Sequence, residues 1–244
     1  MPLSLSAKEA RKFDGARKAW ALLSTGGTFN VGHEHESLQG RGEKNMSKRQ
    51  PSMENYLSQL IRSLSALDHG AVLKVADILR SSYEEERTIF TMGNGGSGST
   101  ASHMVCDFNN GATARLAKKF KVMCLNDNIP SFSAIANDQS YEFVFEEQLK
   151  TWMRPGDVVI GFSVSGRSKN ILKAIRYANK NGAITIGFCG FDGGRLKKIA
   201  QHCIHVQVHD MKIAEDIHSI IIHMLMKILG DRLSGKKIKG SGKK

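Results

Sequence analysis

From Met53 onward, apolar residues recur at helical spacing. In "MENYLSQLIRSLSALDHGAVLKVADILRSSYEEE" they fall at Tyr56, Leu57, Leu60, Ile61 and Leu64, and the period breaks near His69-Gly70. The stretch therefore predicts a pair of helices. Short β-rich runs then alternate with helical ones. "TIFTMG" reads as a strand leading through a glycine-rich turn into the helix of "SHMVCD". "KVMCLN" is a strand followed by helical "PSFSAIAN" and "YEFVFEEQLKTWM". "DVVIGFS" is a strand followed by the helix "SKNILKAIRYANKNG", which opens at Ser168 or Lys169 and stops at Gly182. "AITIGFCG" precedes a short helix at residues 196–200, and "CIHVQV" precedes the closing helix "AEDIHSIIIHMLMKIL". Five strand–helix units predict an α/β fold, a doubly wound five-stranded parallel sheet flanked by helices, with an N-terminal helical pair. In such sheets ligands sit beyond the carboxyl ends of the strands, where loops enter helix N-termini.

The ends of the chain lack this order. Residues 1–50 are polar and glycine-rich and show no period, so they read as a disordered N-terminal extension, and Met46 and Met53 are plausible alternative starts. His33 and His35 in that segment are not read as a metal site. Residues 51–230 form the folded domain, and 231–244 a basic disordered tail. The formal charge of +12 belongs mostly to those ends, since residues 51–230 carry 20 Lys/Arg against 17 Asp/Glu. The basicity therefore points to solvated tails, and no nucleic-acid partner is expected. No run of 18 apolar residues is present, so no membrane span is expected. Cys106, Cys124, Cys189 and Cys203 sit in apolar contexts without C-x-x-C pairing. They read as buried thiols of a cytoplasmic protein, in keeping with the lack of a secretory signal.

Two loops carry the candidate chemistry. "GNGGSGST" satisfies G-x-G-x-x-G at Gly93, Gly95 and Gly98. A dinucleotide site also needs an acid about 20 residues further on, and residues 112–121 contain none. With no G-K-[ST] either, the loop is not a triphosphate cradle. The second loop, "FSVSGRSKN", places Ser163, Ser165 and Ser168 around Gly166 at the start of a helix. One serine suffices for a cap, whereas three hydroxyls converging on free N–H groups suit a phosphate monoester.

"GNGGS", "SHMVCD", "NDQS", "FSVSGRS" and "EDIHSIIIH", in that order and spacing over residues 53–229, resemble the sugar isomerase (SIS) domain family, and most closely its phosphoheptose isomerase branch. The resemblance implies a homotetramer with active sites between subunits and a small phosphosugar substrate. It implies phosphate binding by Ser163, Ser165 and Ser168, with sugar contacts from Asn94, Gly95, Gly96, Ser97, Asp127 and Glu215. The family's catalytic glutamate and histidine fall on Asp107 and His223. A zinc ion, one per subunit, is implied on His103, Asp107, Glu215 and His223.

The residues support this chemistry in their own right. Aldose–ketose isomerisation needs a base at carbon and an acid or metal at oxygen. His103 and Asp107, at i and i+4, share a helical face. Asp216 and His223 also share one, so geometry makes Asp216 at least as good a partner of His223 as Glu215, while His218 points elsewhere and reads as a core residue. Two departures stand out. Asp107 is shorter than the family's glutamate by one C–C bond, roughly 1.5 Å, and Glu215 replaces a neutral amide. Together they read as a coupled change favouring a divalent ion. Gly111 stands where the family has an arginine. The implied activity is isomerisation of sedoheptulose 7-phosphate to D-glycero-D-manno-heptose 7-phosphate; the alternative is a non-catalytic phosphosugar-binding regulator with a protein partner.

Overall fold

The computed structural model describes residues 50–234 except residue 115. The expected disorder of residues 1–50, the two N-terminal histidines and most of the basic tail lie outside the described residues. Helices α1 (Gln50–Ser65) and α2 (His69–Glu84) form the predicted pair. They part at Asp68, whose carboxylate accepts from the N–H of Ala71 and caps α2. Helix α2 buries Val72, Val75, Ala76 and Leu79, one apolar stripe at 3.6-residue spacing.

Strands β1 (Thr88–Gly93), β2 (Lys121–Cys124), β3 (Val158–Phe162), β4 (Ile184–Cys189) and β5 (His202–His205) form one sheet in the order β2-β1-β3-β4-β5, with every pairing parallel. Central β3 is buried along its whole length, as both faces of a doubly wound sheet require. Successive residues serve opposite cores. Val158, Ile160 and Phe162 meet the layer of α2, α3 (Gly96–Cys106) and α8 (Met211–Leu233), while Val159 meets the layer of α5 (Glu146–Trp152), α6 (Lys169–Lys180) and α7 (Leu196–Ile199). Helix α4 (Ile129–Asp138) buries no residue fully. Among the described residues no helix is long and apolar enough to cross a membrane.

Three elements depart from the expected pattern. The α-helix after the glycine loop ends at Cys106 and continues as a π-turn, Asp107–Ala112. The expected helix over 141–153 divides into a 3-10 turn, Tyr141–Phe143, and α5, because the Ser140 hydroxyl accepts from Glu142 N–H and starts a separate turn. Helix α8 starts three residues before its predicted start because Asp210 caps the N–H groups of Lys212 and Ile213, and it runs on to Leu233. The order β2-β1-β3 places the topological switch between β1 and β3, so the loops leaving these strands open the crevice where such folds bind ligands.

Candidate active site

The loop after β1 turns on Gly95, at φ 54°. A Cβ on Gly96 would lie 2.4 Å from Glu215 Oε2, so the absent side chain lets α8 approach the loop. The amide of Asn126 fastens the same loop, accepting from Gly93 N–H at 3.2 Å and donating to Gly93 carbonyl at 2.8 Å.

The loop after β3 turns at Gly166, at φ 61°. A Cβ there would meet Gly193 carbonyl at 2.0 Å, so the loop packs directly on the one following β4. Ser163 Oγ donates to Ser168 Oγ at 3.1 Å, and Ser168 makes no side-chain cap on α6. The N–H groups of Lys169 and Asn170 at the start of α6 thus lack a serine cap and remain able to meet an anion, while Ile171 N–H is taken by the Asn170 side chain. Arg167 is forked onto Asp192, with Nη1 3.0 Å from Oδ1 and Nη2 2.5 Å from Oδ2. That fork holds the Asp192 carboxyl down at about 2. The loop therefore presents hydroxyls and amides, with its guanidinium already engaged. Ser163, Ser165 and Ser168 line a cavity of about 150 Å³ together with Asn94, Ser97, Met211 and Glu215. Asp127 is exposed in the turn after β2 and does not line this cavity.

A second cluster lies where the end of α3 meets α8. His103 Nε2 is 2.9 Å from His223 Nε2, and the rings stand edge to face. Asp107 Oδ2 is 3.4 Å from the former nitrogen and 3.3 Å from the latter. No N–H is aligned on that oxygen, which is buried and lacks a hydrogen-bond partner. A buried, unsatisfied carboxylate oxygen facing two imidazole nitrogens is costly by itself. A divalent cation would satisfy all three donors, and this N₂O set suits zinc. The donor atoms of His103, Asp107 and His223 lie within 4.8 Å of one another, and Glu215 is not in that group. Glu215 turns instead toward Ser97, with Oε1 3.4 Å from Oγ. Axial rise explains the separation: the eight-residue step from Glu215 to His223 rises about 12 Å along α8. Asp216 is taken by the Tyr56 hydroxyl of α1, which the bond holds up at about 12.

His218 sits in the core against Phe162 and Phe188, its Nε2 3.4 Å from the Cys189 carbonyl, and burial pushes its pKa down to about 4. Two cysteines differ from the expectation of burial: Cys106 is exposed and Cys203 is half-buried, the latter facing buried Cys189 with the sulfurs 3.3 Å apart. Gly111 packs beneath α8, where a Cβ would meet Met226 Sδ at 2.7 Å. Sequence reasoning passed over Asn126, Asn170 and Tyr141, since a polar residue closing a strand or opening a helix reads as ordinary punctuation, and over the hydroxyl of Tyr56, which counted only as an apolar position of α1.

The SIS-domain family profile matches residues 54–190. A phosphoheptose isomerase of Geotalea daltonii is 35% identical over 173 residues, covering 68% of this chain and 86% of its own. Phosphoheptose isomerase 1 of Campylobacter jejuni is 31% identical, covering 71% and 92%. The solved phosphoheptose isomerase of Francisella tularensis superposes with a TM-score of 0.70 at 22% identity, over 76% of this chain and 98% of that one. The chain belongs to the SIS-domain family. Within it the chain falls on the phosphoheptose isomerase branch and is an isomerase.

Proposed function

We propose that the protein interconverts sedoheptulose 7-phosphate and D-glycero-D-manno-heptose 7-phosphate. The observation that carries the reading is the convergence of His103, Asp107 and His223 from two helices on one buried, unsatisfied carboxylate oxygen. The phosphate is assigned to the cavity of Ser163, Ser165 and Ser168, with Asn94, Gly95, Gly96, Ser97 and Glu215 on its sugar side; Asp127, which does not line the cavity, is left as a sugar contact on the resemblance alone. Asp107 removes the proton from the carbon beside the carbonyl and returns it to the neighbouring carbon. His223 moves the matching proton between the two oxygens, so the enediol forms and collapses without net gain or loss. His103 orients the acid across one helical turn. Alternatively a zinc ion held by His103, Asp107 and His223 would take over the role of His223 as acid, and would polarise the substrate carbonyl and the hydroxyl beside it.

The reading includes a homotetramer in the cytoplasm. His103 and His223 are each about half exposed, whereas proton transfer at carbon favours a site closed to water. A neighbouring subunit laid over the triad supplies that closure. Retention of all three triad groups argues against a purely regulatory role.

The test is incubation of the purified protein, with zinc, with sedoheptulose 7-phosphate, following aldose formation by NMR. Turnover is expected. No turnover on a panel of five- to seven-carbon ketose phosphates that do bind would overturn the proposal.

A further inference from the structure

The amide of Asn94 is held in one orientation, and a backbone N–H decides which. Ile171 N–H, in the first turn of α6, can only donate, and the side-chain atom of Asn170 that meets it at 2.9 Å is therefore Oδ1. The Asn94 atom 3.0 Å from this same oxygen must then be Nδ2, and Asn170 Nδ2 returns a bond to Asn94 Oδ1 at 2.9 Å. The Tyr141 hydroxyl donates to Asn94 Oδ1 at 2.8 Å, filling its second lone pair. One hydrogen of the Asn94 amide is left over, and Asn94 lines the cavity with the three serines.

We infer that Asn170, with Tyr141, is the positioning unit that fixes Asn94 as a single N–H donor toward an oxygen of the bound sugar phosphate. Asn170 is buried and touches the cavity only through Asn94, so it acts through its neighbour. The arrangement selects the chemistry opposite Asn94. A phosphate or carbonyl oxygen, or the lone pair of a hydroxyl, is accepted, and a group with only hydrogens to offer is refused. Because the cavity carries the ligand's phosphate end, about 12 Å along α8 from the triad, the bond forms equally in the ground and transition states. Its loss therefore falls on KM and leaves kcat standing. This inference rests on the phosphosugar reading of the cavity.

The test uses the full-length protein carrying Asn170→Asp or Asn170→Ser, alongside Tyr141→Phe. Asn170→Asp keeps both acceptor roles and loses the donor to Asn94; Asn170→Ser removes the pairing with less buried charge. Both are expected to raise KM about tenfold, the scale of one well-placed hydrogen bond, with kcat unchanged. Tyr141→Phe, at an exposed site, is expected to raise KM about threefold for one of two shared donors. In an Asn94→Ala background the Asn170 substitutions are expected to add nothing, which separates positioning from a general loss of packing. Additive effects in that background, or a fall in kcat with KM unchanged, would overturn the inference. Wild-type protein that bound no sugar phosphate would overturn both this and the functional reading, whereas wild-type binding with unaltered Asn170 variants would overturn this one alone.

Discussion

His103 Nε2 and His223 Nε2 face each other at 2.9 Å across the top of α3 and α8. Two imidazole nitrogens at that distance either share one hydrogen or both turn lone pairs to a common cation. With Asp107 Oδ2 beside them and unsatisfied, the second arrangement fulfils every group. His103→Ala is expected to strip bound metal from protein purified without chelator, measured by elemental analysis, while the far-ultraviolet circular dichroism stays unchanged. Full metal content in this variant would remove His103 from the site.

Asp107 combines burial with contact to both histidines, which suits a base whose proton is passed on. Asp107→Asn keeps the shape and removes the charge. Turnover is expected to fall by about 10²- to 10⁴-fold, the usual worth of a positioned acid–base group. Calorimetric affinity for the phosphosugar is expected to hold. An unaltered rate would assign the base elsewhere.

Glu215 contacts the Ser97 side of the cavity and lies outside the triad. Glu215→Gln is accordingly expected to leave metal stoichiometry at the wild-type value and to change KM. Metal loss equal to that of His103→Ala would instead place Glu215 on the ion.

His218 gives the fold a pH dependence of its own. Its folded-state pKa lies near 4 because burial disfavours the imidazolium, whereas an unfolded histidine titrates near 6.5. Below that value the unfolded chain binds a proton that the folded chain refuses. The stabilisation is therefore complete above pH 6.5 and is lost as pH falls toward 4, by an amount on the order of 3 kcal/mol. Thermal midpoints between pH 7 and 4.5 are expected to fall more steeply for wild type than for His218→Gln. Parallel slopes would assign the acid lability to other groups.

The serine loop was legible because its signal is local: three hydroxyls around a glycine, directly after an apolar strand. The i, i+4 pairing of His103 with Asp107 was legible for the same reason, since one helical turn fixes it. The partnership of Asn94 with Asn170 was not, because it joins residues 76 apart through the meeting of two loops at the sheet's switch point. Nor does "DFNNGA" announce a π-turn, since residue types that tolerate an α-helix tolerate a π-turn equally. The helical wheel put Glu215 and Asp216 on nearly the same face as His223. Axial distance then kept Glu215 near Ser97, and Tyr56 from another helix engaged Asp216.

The serine-lined cavity and the triad share two helices: α3 carries both Ser97 and His103, and α8 both Glu215 and His223, the latter pair about 12 Å apart along the axis. On the proposed reading, recognition and reactivity therefore fall on different side chains of common supports. Losing one carboxylate at Asp107 would leave the cavity's hydroxyls in place, turning, on that reading, a catalyst into a receptor for the same metabolite in a single evolutionary step.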